Sequence, residues 1–135
     1  MRLLRSVGLF ADASDESLAV VAERAGDADF AAGRRLITQG QLGNGLFVVV
    51  DGSVRVVRDD EELAVFGPGQ VVGELGVIDQ MPRAASVVAL EPTRALTLSS
   101  WDFLEAVEHD PKLARGVMRV LAARLRGAVG DHHHH

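Results

Sequence analysis

A chain of 135 residues with 47% hydrophobic and 24% charged residues can bury a core and is too apolar to be disordered. The absence of cysteine excludes a disulfide framework and thiolate metal ligands. The formal net charge of −5 argues against nucleic acid as a partner of this chain by itself, because domains that bind nucleic acid are usually basic. His132–His135 look like the remnant of a purification tag, so we predict one domain over 1–130 and a tag remnant over 131–135.

The N-terminal part of the chain, residues 1–25, predicts helix. Ser14 is a suitable N-cap, and Leu18 and Val21 lie on one helical face. Gly26 predicts the end of this helix. The sequence has no apolar run long enough for a membrane span and no secretory leader, which favours a cytoplasmic location.

Short β-branched runs fill the middle of the chain, with turn signals about every ten residues. The runs predict strands at 35–38, 46–50, 53–58, 63–66, 86–90 and 94–98. Asp51-Gly52 separates two of these runs and predicts a hairpin. Regularly spaced short strands are typical of a β-sandwich or β-barrel.

Two helices are predicted after the last strand. Ser99 with Asp102 fits a capping box, and Asp110-Pro111 fits an N-cap followed by proline at the first helical position. We expect the final helix to end near Val129. Its predicted apolar stripe consists of Leu113, Val117, Val120, Leu121 and Leu125.

The residues needed for catalysis are sparse. His109 is the only histidine outside the tag, and its place beside a helix N-cap favours a solvated side chain. A cupin-like enzyme would need several histidines on neighbouring strands. No glycine-rich stretch has the Gly-Lys-Ser/Thr ending of a P-loop. We therefore predict neither an enzyme nor a metal or cofactor site.

A candidate binding site lies between Gly73 and Leu90. Gly73 and Gly76 allow the backbone to turn tightly, and a short helical turn over 74–78 would direct free backbone N–H groups at an anion. Arg83 offers a planar guanidinium suited to phosphate. From these residues alone, a Glu74–Arg83 salt bridge that closes a loop and a ligand site between the two side chains are equally good interpretations.

The sequences GELG at 73–76 and PRAASV at 82–87 closely resemble the phosphate-binding cassette of cyclic nucleotide-binding domains. This family includes protein kinase A regulatory subunits, the catabolite activator protein and cyclic-nucleotide-gated channels. The resemblance covers residues 8–128. It implies a mainly β fold, an eight-stranded jelly-roll β-barrel (double-stranded β-helix), with an N-terminal helix, a short cassette helix and two C-terminal helices.

The resemblance also implies a role for each site residue. Glu74 would accept a hydrogen bond from the ribose 2′-hydroxyl, and Arg83 would pair with the exocyclic phosphate oxygens. The cassette backbone at Gly73 and its neighbours would surround the phosphate. Further contributions would come from backbone N–H groups near Leu75, Gly76, Ala84 and Ala85 and from the Ser86 hydroxyl.

The base would lie against apolar side chains beneath the last helix. Those side chains are Val72, Leu75 and Val87, and Arg124 would cap the base by stacking. A solvated helix charge is the equally good alternative for Arg124. Ala84 follows Arg83 directly, where relatives that prefer cGMP often have threonine, so the resemblance favours cAMP over cGMP.

The resulting hypothesis is a cAMP sensor domain that signals by movement of its C-terminal helix. Two alternatives are a degenerate fold that serves as an interaction module and the sensor half of a transcription regulator. We expect either a stand-alone sensor or an excised regulatory domain. Its partners would be an effector domain outside this chain or a second copy bound through the C-terminal helix.

Overall fold

The computed structural model describes residues 7–133, except for the side chains of Leu75 and of residues 128–133. Its N-terminal part contains less helix than predicted: a 3-10 turn at Gly8–Phe10 is followed by α1 at Asp15–Arg24. The predicted cap is confirmed, since Ser14 Oγ accepts a hydrogen bond from Ser17 N at 3.1 Å. Residues 1–6 of the predicted helix and 134–135 of the tag remnant lie outside the described residues.

Within the described part of the chain, eight antiparallel strands form two four-stranded sheets, as the resemblance implies. The strands are β1 (Gly26–Phe30), β2 (Arg35–Ile37), β3 (Gly45–Asp51), β4 (Val54–Arg58), β5 (Glu61–Phe66), β6 (Val71–Val72), β7 (Ser86–Ala89) and β8 (Thr93–Ser99). The first sheet has the order β1-β8-β3-β6, and the second has the order β2-β7-β4-β5.

Two strands, β1 and β6, were not among the runs predicted from the sequence. β1 has the sequence GDADF, in which glycine and aspartate disfavour strand, and it forms an edge by pairing with β8. β6 has two residues and pairs with β3 through Phe47 opposite Val72. Pairing with a neighbouring strand, rather than local propensity, therefore determines both.

The hairpin predicted at Asp51-Gly52 is wrong, because β3 and β4 belong to different sheets. Gly52 has φ +92°, and a Cβ there would lie 2.5 Å from Thr93 Oγ1, so glycine allows the chain to cross between sheets. The hairpin instead joins β4 to β5 at Asp59-Asp60. Both aspartates have positive φ, as a type I′ turn requires.

Three further helices follow α1, and the last two are consecutive in the chain. A short helix, α2, covers Glu74–Asp79, where a helical turn was predicted, and α3 covers Ser100–His109. Ser99 caps α3 as predicted, since its Oγ accepts a hydrogen bond from Asp102 N at 3.1 Å. The final helix, α4, covers Pro111–His133 and so continues beyond the end predicted near Val129.

The core has two parts. One lies between the two sheets and contains Ile37, Val49, Val54, Val72 and Val87. The other packs α1, α3 and the first half of α4 against the first sheet. Its largest members are Phe10, Leu18, Leu46, Phe103 and Leu113. Among the described side chains of α4, burial ends near Leu121, so the core holds the first half of this helix.

Asp110 ties the start of α4 to the start of α1. Its Oδ1 accepts a hydrogen bond from Lys112 N at 3.0 Å, and its Oδ2 accepts one from Ser14 N at 2.9 Å. Burial alone would raise the pKa of the Asp110 carboxyl, but hydrogen bonds from Ser14, Ser17 and Lys112 lower this pKa to about 2.

We expect Asp110→Ala to lower the free energy of unfolding by about 1–3 kcal/mol, because a helix cap and a buried acceptor are lost together. Chemical denaturation measures this loss, and Asp29→Ala, at an exposed aspartate of β1, is the control.

The same measurement against pH tests the charge of Asp110. Its folded pKa is depressed, so its contribution is complete above pH 4 or so and is lost as pH falls towards about 2. The stability difference between wild type and Asp110→Asn should therefore shrink over that range. A difference independent of pH would contradict the assignment.

Candidate functional site

A cavity of about 560 Å³ lies between the second sheet, α2 and α4. Its volume is within the range of small-molecule sites. Most of its wall is apolar, while its charged side chains are Glu74, Asp79, Arg83 and Arg124. The apolar side chains are Ile37, Val56, Ala64, Phe66, Val71, Val72, Pro82, Ala84, Ala85 and Val87.

Residues 73–86, which we call the cassette, form one wall of this cavity. Gly73 has φ +91° and precedes the first residue of α2. A Cβ at Gly73 would lie 2.9 Å from Ile37 Cδ1, so both the backbone conformation and the packing require glycine. Gln80, with φ 55°, ends the helix.

Arg83 is bound to two backbone carbonyls, one in the cassette and one at the start of β3. Its Nη1 donates to Gly73 O at 2.6 Å, and its Nη2 donates to Gly45 O at 2.5 Å. A Cβ at Gly43 or Gly76 would lie within 2.6 Å of the guanidinium, so these glycines form a slot for it. The slot leaves Arg83 only 8% exposed.

Burial lowers the pKa of Arg83, and the negative charge of Asp79 opposes that shift. Because an arginine remains protonated over the physiological range, the site contains a fixed positive charge that is largely removed from water. Such a group is suited to an anion that enters the cavity.

Glu74 is 1% exposed and forms its ion pair with Arg124 Nη1. Among the described residues, neither carboxylate oxygen accepts a hydrogen bond of ordinary geometry, although Arg124 lies against Oε1. The Glu74–Arg83 salt bridge, one of the two interpretations of the sequence, is therefore not formed. The two side chains line the same cavity without pairing.

Arg124 extends from α4 across the cavity. Besides Glu74, its guanidinium reaches the backbone of β6, where Nη2 donates to Val71 O at 3.2 Å, and the ring of Phe66, whose centroid lies 5.7 Å away. Burial lowers the pKa of Arg124, although its side chain is still 38% exposed. The structure thus places Arg124 in the cavity wall, where the resemblance suggested a cap.

The other predicted site residues separate into two groups. Gly76, Ala84 and Ala85 line the cavity together with Glu74 and Arg83. Ser86 lines a second cavity of about 270 Å³ on the outer face of the sheet, and its Oγ accepts a hydrogen bond from Gln39 N at 2.9 Å. The backbone of Leu75 belongs to α2, and its side chain lies outside the described residues.

The cavity wall contributed by β4 and β5 was not predicted from the sequence. Val56 lies opposite Ala64 and Val54 lies opposite Phe66, so alternate residues of both strands face inwards. Recognition of a hairpin turn at Asp59-Asp60 would have predicted the pairing register of β4 and β5. Two aspartates are, however, a weaker hairpin signal than Asp-Gly.

Other kinds of site find no support within the described residues. No group of three or more histidine, cysteine, aspartate or glutamate side chains there could hold a metal ion. No helix of the described part is both long and apolar enough to cross a bilayer.

Comparison with known proteins agrees with this geometry. Residues 28–110 match the family model described as the cyclic nucleotide-binding domain. The cyclic AMP receptor protein of Thermus thermophilus is 38% identical over 101 residues, which are 71% of this chain and 47% of that protein. This chain spans about half the length of the curated relatives that it matches.

Solved structures agree as well. The catabolite activator protein of Thermus thermophilus superposes with a TM-score of 0.83 at 32% identity, over 92% of this chain and 61% of that one. The regulatory domain of Toxoplasma gondii PKA, in a co-crystal with cAMP, superposes with a TM-score of 0.73 at 29% identity, over 78% and 42%. The jelly-roll architecture with helices at both ends is thereby confirmed.

We expect Gly73→Ala to lower the free energy of unfolding by about 1–3 kcal/mol, because it puts a Cβ into a positive-φ backbone and against Ile37. Urea denaturation measures the change. Gly67→Ala is the matched control, since a Cβ there meets nothing within 4 Å. Equal losses in the two variants would show that the cassette does not depend on this conformation.

Proposed function

The chain belongs to the cyclic nucleotide-binding domain family, and on that premise we propose that it is a sensor domain whose ligand is cAMP. One observation supports this ligand above all others. A buried carboxylate, Glu74, and a buried guanidinium, Arg83, line one largely apolar cavity without pairing with each other. A ligand that suits this cavity must offer a hydroxyl for the carboxylate, an anionic group for the guanidinium and an apolar ring for the apolar wall.

A cyclic nucleotide offers all three groups. Its ribose 2′-hydroxyl would donate to Glu74, and its singly charged phosphate would lie against Arg83. A guanidinium has five N–H donors, so Arg83 can keep its bonds to Gly73 O and Gly45 O and still donate to phosphate. The two carbonyls then act as supports that hold the guanidinium in place.

Small and backbone groups would complete the phosphate site. Ala84 and Ala85 line the cavity with short side chains, which leaves room for a ligand to approach their backbone N–H groups. Arg83 N donates to Gln41 O at 2.9 Å, and Gly40 N donates to Arg83 O at 2.8 Å. These bonds fix the second part of the cassette to the loop before β3. Ser86, bound to Gln39 N on the outer face, would act as a support rather than a ligand contact.

The base would lie against the apolar wall of β4 and β5. Val56 and Phe66 add to the predicted Val72 and Val87, which gives the purine ring contacts on two sides. A ligand of about 22 heavy atoms at about −0.3 kcal/mol each would bind with a dissociation constant on the order of 10 μM. Ala84 lacks the hydroxyl that could meet a guanine 2-amino group, which favours adenine.

Transmission to an effector is the second part of the proposal. The curated relatives that the chain matches include a CRP-like cAMP-activated global transcriptional regulator, which favours the sensor half of a transcription regulator as a specific form of this function. Met118 and Leu125 are more than 60% exposed on α4, a pattern that suits a second copy or an effector domain packed on that helix. These features favour a sensor domain over the alternative interpretation, a degenerate fold whose pocket binds no ligand.

We expect wild type to bind cAMP in calorimetry and Arg83→Leu to bind it about ten- to a hundred-fold more weakly, because charge-assisted hydrogen bonds are lost. Arg55→Leu, on the exposed outer face of β4, removes the same charge and is the control. Folded wild type that binds neither cAMP nor cGMP would refute the proposed function.

The base preference has its own test. Ala84→Thr should tighten cGMP relative to cAMP by about five-fold, since one added hydrogen bond has roughly that value. Ala32→Thr, at an exposed residue that does not line the cavity, is the control. Equal affinity of wild type for the two nucleotides would contradict the role given to Ala84.

A further inference from the structure

Gln39 joins two parts of the candidate site that come from different stretches of the chain. Its backbone N donates to Ser86 Oγ of the cassette at 2.9 Å, while its side chain bonds to Asp59 at the tip of the β4–β5 hairpin. We propose that Gln39 is a positioning residue, which holds the apolar wall of that hairpin at a fixed place relative to the cassette. This inference rests on the proposed function and deepens it, since the base of the ligand would lie against that wall.

The side chain of Gln39 makes a reciprocal pair of hydrogen bonds with Asp59. Its Nε2 donates to Asp59 Oδ1 at 2.9 Å, and its Oε1 accepts from Asp59 N at 3.1 Å. Two parallel bonds to one residue fix the orientation of the partner as well as its distance. Because the amide uses both its donor and its acceptor here, replacement by a side chain that lacks either group removes at least one bond.

The backbone around Gln39 is bonded to the cassette. Besides the bond from Gln39 N to Ser86 Oγ, Gly40 N donates to Arg83 O at 2.8 Å and Arg83 N donates to Gln41 O at 2.9 Å. Arg83 and Ser86 are both buried. The side chain of Gln39 therefore starts from the loop that fixes the backbone of Arg83, the residue proposed to bind phosphate.

The hairpin depends on such a link because its other support is limited. Among the described strands, β5 pairs with β4 alone, and β4 pairs with β7 over 54–57, so the turn at 58–60 lies beyond that ladder. The pairing of β4 with β5 is also irregular just after Val56. Ala64 and Phe66 of β5 line the cavity, so the bonds to Asp59 restrict how far this wall can move away from the cassette.

Calorimetry with cAMP measures the effect on the site. Gln39→Ala should bind cAMP about two- to ten-fold more weakly than wild type, because a wall that is no longer held has to be ordered when the ligand binds. Gln41→Ala is the matched control, since this exposed glutamine of the same loop makes its hydrogen bonds in the described structure through its backbone. Equal affinities of the two variants would overturn the proposal.

An exchange of donor and acceptor distinguishes these bonds from general destabilisation. Gln39→Glu places two carboxylates together and should weaken cAMP binding. Adding Asp59→Asn puts an amide donor opposite the new carboxylate and should return the affinity to within about two-fold of wild type. Both Asp59 and Asp60 have positive φ, which asparagine tolerates.

The control for this exchange is Gln39→Glu combined with Asp60→Asn. This double variant has the same net charge as the first, but position 59 has no amide donor, so its cAMP binding should stay weak. Recovery in both double variants would overturn the proposal, because net charge alone then accounts for the result. Recovery in neither would overturn it as well.

Amide exchange in the ligand-free protein tests the same link without a nucleotide. Exchange of the β5 amides should be several-fold faster in Gln39→Ala than in wild type and unchanged in Gln41→Ala. Equal exchange in wild type and Gln39→Ala would overturn the proposal. Faster exchange in Gln39→Ala, together with a wild type that binds neither cAMP nor cGMP, would refute the proposed ligand and leave the link between hairpin and cassette supported.

Discussion

The burial of one carboxylate, that of Glu74, constrains most of what surrounds it. An ionised group with 1% exposure is costly unless another charge or several donors compensate it. The cassette does not supply that compensation, because the guanidinium of Arg83 is directed at the carbonyls of Gly73 and Gly45 rather than at Glu74. The partner of Glu74 is instead Arg124 of α4, far along the chain. The charge balance of the cavity therefore depends on the position of the last helix.

The burial of the charged Arg83 side chain likewise explains why glycine occupies several positions of the site. A buried guanidinium needs acceptors on several sides, and backbone carbonyls can approach it closely only where no Cβ intervenes. Gly43 and Gly76 leave that space, and Gly73 supplies one of the acceptors through a positive-φ turn. The cassette and the loop before β3 thus hold the guanidinium of Arg83 in one position. This arrangement favours the binding of an anion without rearrangement of that positive charge.

How far the sequence predicts this structure depends on how local each feature is. The caps at Ser14, Ser99 and Asp110 were predictable because a cap is formed within a few residues. The strand β1 and the crossing at Gly52 depend on neighbours far along the chain, so local propensity was misleading there. The site divides in the same way. The cassette residues that line the cavity share one segment, whereas the partner of Glu74 and the wall from Phe66 come from other elements.

The two halves of α4 are held by contacts of different character. At its start, Asp110 accepts hydrogen bonds from Ser14 N and Lys112 N, and no ligand competes for these donors inside the core. Farther along, Arg124 joins the helix to the buried carboxylate of Glu74. The core therefore fixes the first half of the helix, whereas the exposed second half is joined to the cavity wall through Arg124. A ligand in the cavity can act on the helix only through side chains that line the cavity, so the proposed transmission depends on this second kind of contact.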